Sequence, residues 1–166
     1  MDELKRLYLE DQHDRHEKLF EKNSQLFAQR DEQRLTRILD LLNARAIRTP
    51  ADHLRAALIL IHGKTTEHYE KSHELAKKAA EMGYRPEKDE VDPLWLAAAA
   101  KDRALMSQGK PQLYGTQMRR DTLDGLWHLH EVDPSITDEE RSRWHVRPLE
   151  ETRKRIEERN RKENKK

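Results

Sequence analysis

Apolar residues in this chain recur mostly three or four positions apart, and the stretches that carry them end at glycine or proline. That spacing is typical of one face of an α-helix. Only five glycines and six prolines interrupt 166 residues, of which 39% are charged and 34% are hydrophobic. The pattern predicts a mainly α fold in which helices expose interleaved charges and share one small core.

Signals at the helix ends divide the chain into about five or six helices. Thr49–Pro50 and Asp92–Pro93 each supply an N-cap residue followed by proline at the first helical position. Gly63, Gly83 and Gly109 are interpreted as helix stops. The predicted helices cover 2–22, 25–43, 50–62, 65–82 and 93–108, with a final helix from Pro148; a short capped segment within 133–144 is predicted in addition to these six. The short connection between 50–62 and 65–82 predicts an antiparallel pair.

A small β-hairpin is predicted near 114–132, because Asp124-Gly125 separates two segments with strand character. The predicted pairs are Thr122 with Trp127, Arg120 with Leu129, and Met118 with Glu131. The fold class is therefore a compact single-domain bundle over residues 1–150 with one hairpin. Residues 151–166 form either a charged helix end or a frayed tail.

Composition restricts the class of partner. The formal net charge of +1 gives no overall attraction to nucleic acid or to an acidic membrane surface. The lack of cysteine excludes disulfides, thiolate nucleophiles and cysteine metal ligands. No apolar run follows Met1, and the longest run is too short to cross a bilayer. We expect a cytoplasmic protein without metal or cofactor; export after signal removal and the oligomeric state stay open.

The segment GKPQLYGTQ, residues 109–117, departs from the charged texture of the helices around it. Gly109 ends a helix and Pro111 prevents its continuation, while Gly115 permits close approach of a backbone or a ligand. Its neutral polar side chains are Gln112, Tyr114, Thr116 and Gln117. Such groups on a rigid turn favour orientation of a ligand; the alternative is a structural corner.

Three motifs resemble those of an uncharacterised bacterial domain family: DQHDR, AALILIHG and KDRALMSQGKPQLYGTQ. The family shares a D-Q-x-x-R element, a histidine ending an apolar helix, and a D-R element followed by G-x-P-Q-x-Y-G-T-Q. The resemblance covers roughly residues 4–150 and implies no established activity. It marks Asp11, Gln12, Arg15, His62, Asp102, Arg103, Gly109, Pro111, Gln112, Tyr114, Gly115, Thr116 and Gln117.

Asp102 lies on an otherwise apolar stripe of its helix, where a carboxylate requires a partner. The candidate partners are Arg15, Arg103 and His62. A functional Asp102 predicts little loss of stability in Asp102→Asn, whereas a structural ion pair predicts a large loss. We favour the functional interpretation.

His62 ends the most apolar helix and is the candidate general acid or base, because histidine side chains titrate near neutrality. The alternative is a histidine that caps the helix C-terminus. Asp11 and Arg15, four residues apart, either pair along an exposed helix face or turn inward with Gln12 to meet Asp102 and Arg103.

Two functions remain open. The first is a metal-free acid/base enzyme, hydrolase- or lyase-like, with His62 and Asp102 in proton transfer. Its predicted substrate-binding residues are Asp11, Gln12, Arg15, Arg103, Gln112, Tyr114, Thr116 and Gln117. The second is a non-catalytic helical module that binds a small ligand or a peptide. Both predict that Asp11, Arg15, His62, Asp102 and Tyr114 line one cavity.

Overall fold

The computed structural model describes residues 2–87 and 90–163, and these ranges contain eight helices and one two-stranded antiparallel sheet. The helices are α1 (Glu3–His16), α2 (Leu19–Lys22), α3 (Ser24–Asn43), α4 (Pro50–Leu60), α5 (Thr66–Glu81), α6 (Pro93–Ser107), α7 (Asp138–Arg143) and α8 (Leu149–Glu163). The strands are β1 (Met118–Arg120) and β2 (Trp127–Leu129). The predicted fold class, mainly α with one small hairpin, is confirmed, with more helices than predicted.

The predicted helix over 2–22 is divided at Lys18, whose φ of 52° lies in the left-handed region. The backbone N–H groups of Glu17 and Lys18 donate to His13 and Arg15 and so close the end of α1. Beyond the break, the ring of Phe20 packs edge-on against Phe27 of α3, with ring centroids 5.8 Å apart. The turn thus lets α1 and α3 lie against each other.

The core is built on α5, which packs extensively against both α4 and α6. The contacting faces carry fully buried alanines, among them Ala57, Ala76 and Ala97. Small side chains let helices approach closely, which suits a chain with few large apolar residues. α1 and α3 cover α4 from outside this three-helix layer.

Glycines end two helices in the predicted way but not a third. Gly83 and Gly109 have φ values of 79° and 72°, the left-handed conformation that favours glycine at a helix C-terminus. Gly63 is not among the glycines with positive φ. Instead it is buried against the ring of His68, which a Cβ at this position would overlap. The need for glycine at Gly63 is therefore steric.

The hairpin has a wider loop than predicted. The observed pairs are Met118 with Leu129, Arg119 with His128, and Arg120 with Trp127, so the predicted register is wrong. The aspartate side chains of the loop accept hydrogen bonds from N–H groups two residues ahead, Asp121 from Leu123 and Asp124 from Leu126, each at 2.8 Å. These local bonds replace the two-residue turn expected at Asp124-Gly125.

The last helix is attached to the hairpin. Asn160 accepts from the Trp127 N–H at 2.8 Å and donates to the Trp127 carbonyl at 2.9 Å. The guanidinium of Arg159 lies 3.6 Å from the centroid of the Trp127 ring. α8 is helical through Glu163; residues 164–166, the end of the predicted charged helix end or frayed tail, lie outside the described residues. Within the described ranges, no helix combines the length and apolarity needed to cross a membrane.

Candidate functional site

Asp102 is fully buried on α6 and binds the segment that follows its own helix. Its Oδ1 accepts hydrogen bonds from the backbone N–H groups of Leu113 and Tyr114, at 2.8 and 2.9 Å. Its Oδ2 accepts from the backbone N–H and the hydroxyl of Thr116, at 3.0 and 2.7 Å. Four donors occupy the carboxylate, which therefore fixes the path of residues 113–116.

The partners predicted for Asp102 are wrong. The charge was expected to meet Arg15, Arg103 or His62, but neutral donors of the next turn bind it instead. The chain reverses directly after α6, which brings its free N–H groups to the buried oxygens. This arrangement favours a scaffold role for Asp102 over proton transfer.

Gln112 closes the same segment from the other side. Its fully buried amide donates to the carbonyls of Gln117 and His130 at 3.0 Å each, and accepts from the Gln117 N–H at 2.9 Å. Its backbone forms a parallel bridge to Val132. These bonds satisfy the whole amide, so the structure supports the corner interpretation for Gln112.

Tyr114 packs away from the predicted cavity. Its ring lies 5.5 Å from that of Trp144, and its carbonyl accepts from Arg141 at 3.2 Å. Burial raises the pKa of Tyr114 to about 12, and the charges of Glu140 and Asp102 act in the same direction. The phenol therefore stays protonated in neutral solution.

Asp11 faces inward from α1 and is 1% exposed. Arg15 donates to its carboxylate from two nitrogens, over distances between 3.1 and 3.3 Å, and Gln12 donates at 2.9 Å. The Nδ1 atom of His62 lies 3.3 Å from Oδ2 of Asp11. The inward alternative for this motif is therefore the observed one, although it meets His62 and not Asp102.

His62 and Asp11 lie within ion-pair distance, but their geometry is not that of a hydrogen bond. The His62 side chain is 23% exposed, but its Nδ1 is a buried nitrogen without a hydrogen-bond partner among the described residues. Burial by itself would raise the pKa of Asp11, but the neighbouring His62 and Arg15 outweigh it and lower that pKa. Asp11 is therefore an ionised carboxylate at neutral pH.

A buried ionic network behind this pair was not predicted from the sequence. Arg34 is 4% exposed and donates to Asp14 at 2.7 Å and to Asp31 at 2.6 Å. Arg30 also donates to Asp14, at 2.7 Å, and Arg15 to Asp31, at 2.9 Å. Asp14 is not among the residues predicted for the site; the available signal was its position three residues after Asp11, on the same side of α1.

Arg103 connects the end of α4 to the segment that follows α6. Its guanidinium donates to the Ile61 carbonyl at 2.8 Å, directly before His62, and to the Gln117 side chain at 3.0 Å. Burial lowers the pKa of Arg103; Tyr69 opposes that shift and the charge of Arg15 adds to it. Among residues 2–87 and 90–163, no carboxylate forms an ion pair with Arg103. Its charge is thus bound by neutral acceptors.

His62 lines a cleft of about 340 Å³ between α3 and the connection from α4 to α5. The other lining residues are Ala28, Asp31, Glu32, Leu35, Thr36, Leu39, Lys64, Thr65 and His68. The volume lies near the lower end of the range usual for small-molecule sites. His68 was not predicted as a site residue, because a histidine within a charged helix gives no distinguishing signal.

The five residues predicted to line one cavity form two clusters. Asp11 contacts both Arg15 and His62, and His62 also lines the cleft. Asp102 and Tyr114 hold the segment after α6 together. The chemistry available at the first cluster is that of an imidazole beside an ionised carboxylate.

No protein-family model matches this chain, and no curated protein or solved structure is significantly similar to it. The resemblance to an uncharacterised bacterial family therefore stays a sequence-based prediction. In the part of the chain that the structure describes, no group of three or more histidine or carboxylate side chains is arranged to hold a metal ion. The site is accordingly interpreted from its own geometry.

Proposed function

We propose that this protein is a small-molecule enzyme in which His62, oriented by Asp11, exchanges a proton with an anionic substrate. The observation that carries the proposal is the 3.3 Å approach of His62 Nδ1 to the buried Asp11 carboxylate, at the wall of a cleft of about 340 Å³. A histidine between a buried carboxylate and a cleft is the arrangement used for general acid/base catalysis.

Asp11 determines which ring nitrogen of His62 carries the proton. Its low pKa keeps the carboxylate charged, and a charged acceptor beside Nδ1 favours the tautomer that carries the proton there. Nε2 is then the nitrogen that accepts a proton from the ligand. The imperfect alignment fits a ligand-free site, because catalytic hydrogen bonds often tighten only when substrate binds.

The charge balance beneath the cleft supports an anionic substrate. Three carboxylates face three guanidinium groups in the buried network, and these six charges sum to zero. They are Asp11, Asp14 and Asp31, with Arg15, Arg30 and Arg34. Arg103 donates to the carbonyl of Ile61, the residue before His62, and adds one positive charge that no carboxylate among the described residues balances; it does not itself line the cleft. Such an unbalanced charge favours a nearby anion through its field and not by contact.

A second candidate function is a non-catalytic module that binds a small ligand or a peptide. The observation in its favour is that Asp102, the other predicted proton-transfer residue, is occupied by four hydrogen bonds. A single histidine without a second reacting group suits binding as well as catalysis. Turnover separates the two functions.

The test is a panel of mono-p-nitrophenyl esters of dicarboxylic acids, which keep one free carboxylate, and p-nitrophenyl phosphate, assayed with the parent protein, His62→Gln and His16→Gln. His16 is a matched control because its side chain is 86% exposed. We expect turnover by the parent and by His16→Gln, and a loss of about a hundredfold or more in His62→Gln. Equal rates in parent and His62→Gln would contradict the assignment. Ligand-induced thermal stabilisation without turnover would favour the binding module.

A further inference from the structure

We propose that His68 is a ligand-binding residue of this cleft and that the cleft takes a small amphipathic oxyanion. The ligand class is a carboxylate or phosphate monoester that carries an apolar group of a few carbon atoms. The inference rests on the proposed function in placing the ligand beside His62. It assigns a second histidine and a substrate class that the proposed function leaves open.

The environment of His68 determines which ring nitrogen carries the proton. Its Nδ1 is buried and has no hydrogen-bond partner among the described residues. The ring lies against Gly63, where any Cβ would overlap it. A buried N–H without an acceptor is costlier and rarer than an unpaired lone pair. The neutral ring therefore carries its proton on Nε2 and offers a donor.

The two histidines consequently have complementary roles. His62 has a carboxylate beside Nδ1, which directs its proton there and leaves an Nε2 lone pair. His68 has no acceptor beside Nδ1, which directs its proton to Nε2. Both side chains line the same cleft. A ligand oxyanion accepts a hydrogen bond from Nε2–H of His68, and the lone pair of His62 stays free to take up a proton during the reaction.

Further donors place the ligand oxygens at the start of α5. Lys64 is exposed and forms no ion pair with the described residues. The Thr65 hydroxyl accepts from the His68 backbone N–H at 3.2 Å, so its own proton is available to a ligand. Together with the His68 ring they supply three donors, one of them charged. Such a set recognises a carboxylate or phosphoryl oxygen.

Two carboxylates of α3 oppose an anion and limit where it binds. Asp31 is neutralised by ion pairs with Arg15 and Arg34, at 2.9 and 2.6 Å. Glu32 is exposed on the α3 side and forms no ion pair with the described residues. The anionic group is therefore expected at the Lys64 end of the cleft.

The α3 wall of the cleft carries apolar side chains beside its two carboxylates. Leu35 and Leu39 lie one helical turn apart on α3 and are half-buried, and Ala28 extends the same wall. Covering these side chains removes apolar surface from water. An inorganic ion leaves this wall uncovered, whereas an apolar group a few carbons long covers it. The cleft thus combines hydrogen-bond donors at its Lys64 end with apolar side chains on α3.

The first experiment uses protein with ¹⁵N-labelled histidine rings and ¹³C-labelled leucine methyl groups. Hexanoate, phenyl phosphate, hexanol and inorganic phosphate are titrated separately, and NMR shifts are followed at His68, Leu35 and Leu39. We expect saturable shifts with hexanoate and phenyl phosphate. Hexanol lacks the anionic group, and inorganic phosphate lacks the apolar group. Each is therefore expected to bind at least about tenfold more weakly than hexanoate or phenyl phosphate. Equal binding of hexanol and hexanoate would overturn the ligand class.

The second experiment tests His68 with three variants. His68→Leu removes the ring donor and is expected to weaken binding of hexanoate and phenyl phosphate about tenfold. His68→Gln keeps an N–H donor and should recover part of that loss, while His16→Leu should bind like the parent. Unchanged affinity in both His68 variants, or a proton found on Nδ1 of His68 in the free protein, refutes the role of His68. Circular dichroism verifies folding, and the tautomer measurement needs no variant.

The two proposals fail in different ways. If hexanoate binds through His68 but turnover is the same in His62→Gln, the proposed catalysis is wrong and the ligand class holds. If turnover depends on His62 but neither hexanoate nor phenyl phosphate shifts His68, the ligand class is wrong and the catalysis holds.

Discussion

Two buried aspartates show how the same residue type reaches different roles. Asp102 is bound by backbone N–H groups and a hydroxyl. Asp11 is bound by a guanidinium and an amide and lies beside an imidazole. The neutral donors around Asp102 hold a loop, whereas the imidazole beside Asp11 is the group to which we assign proton exchange. The partners of a buried carboxylate therefore decide its role more than its burial does.

Asp102→Asn is expected to lower stability, the opposite of what we favour from sequence alone. The amide –NH₂ replaces an acceptor that now receives two hydrogen bonds, so donors of the segment 113–116 lose their partner. The expected loss is about 2–4 kcal/mol. The measurement is the urea midpoint at neutral pH, with the exposed Asp40→Asn as control. A urea midpoint equal to that of the parent would instead support the functional interpretation of Asp102.

Asp11→Asn is expected to change how stability depends on pH. The pKa of Asp11 is lowered in the folded protein from an ordinary value of 3.8. A lowered pKa contributes stability that is fully present above the unfolded value and is lost as pH falls through the folded value. The free energy of unfolding of the parent should therefore exceed that of Asp11→Asn by roughly 3–5 kcal/mol at neutral pH.

This difference should begin to narrow below about pH 4, because the Asp11 carboxylate of the unfolded parent then takes up a proton that the folded parent, with its lower pKa, does not yet bind. Urea unfolding of both proteins between pH 7 and pH 3 measures it. Carboxylates common to both proteins cancel in the comparison. A gap that stays constant over this range would show that the charge of Asp11 does not contribute.

At the scale of elements, the connection from α4 to α5 is the part of the chain most sensitive to added volume. Gly63 lies in the connection after α4, is not among the glycines with positive φ, and has room only for a hydrogen atom against the His68 ring. Because both histidines flank the same short connection, its geometry positions the two rings relative to each other. Helix packing and the cleft are thus determined together.

Gly63→Ala is expected to destabilise the protein by about 1–3 kcal/mol through overpacking. The same substitution in a His68→Ala background should cost much less, since the clashing ring is gone. A double-mutant cycle of urea midpoints gives this coupling free energy. Additive losses would mean that the backbone at Gly63, and not the His68 ring, requires glycine.

At the scale of the whole molecule, two kinds of interaction hold the helices together. α4, α5 and α6 pack through alanines and branched apolar side chains. Toward its C-terminal end, α1 is held to α3 by the ionic network around Arg34. A buried network depends on the presence of every partner, because each charge left alone is costly.

Arg34→Ala is expected to loosen α1 from the bundle. It leaves the buried Asp14 with a single, exposed guanidinium, and the expected loss is roughly 3–5 kcal/mol. Arg37→Ala, one turn further along α3, removes an exposed pair with Glu3 and should lower stability much less, because exposed ion pairs contribute little. Urea midpoints compare the two, and equal losses would refute a special role for the buried network.

Local signals account for the helices that the sequence predicts correctly. Thr49, Asp92 and Gly109 act within one turn of their own position, as cap acceptors or as a left-handed residue. Local competition also explains the wrong hairpin register, because Asp121 and Asp124 bind N–H groups two residues ahead instead of leaving them to a tight turn. Such a choice between two local patterns depends on small energy differences.

The sequence by itself determined the helical spacing, the capped helix ends and the set of polar residues that helices bury at a cost. Only the tertiary structure decided the partners of those residues, because a partner is a neighbour in space and not along the chain. Tertiary packing placed Asp11 of α1 beside His62 and surrounded the Asp102 carboxylate with backbone N–H donors. It also placed His68 in the cleft, against Gly63. Periodicity predicts which face of a helix is buried; packing of several helices decides which charges meet there.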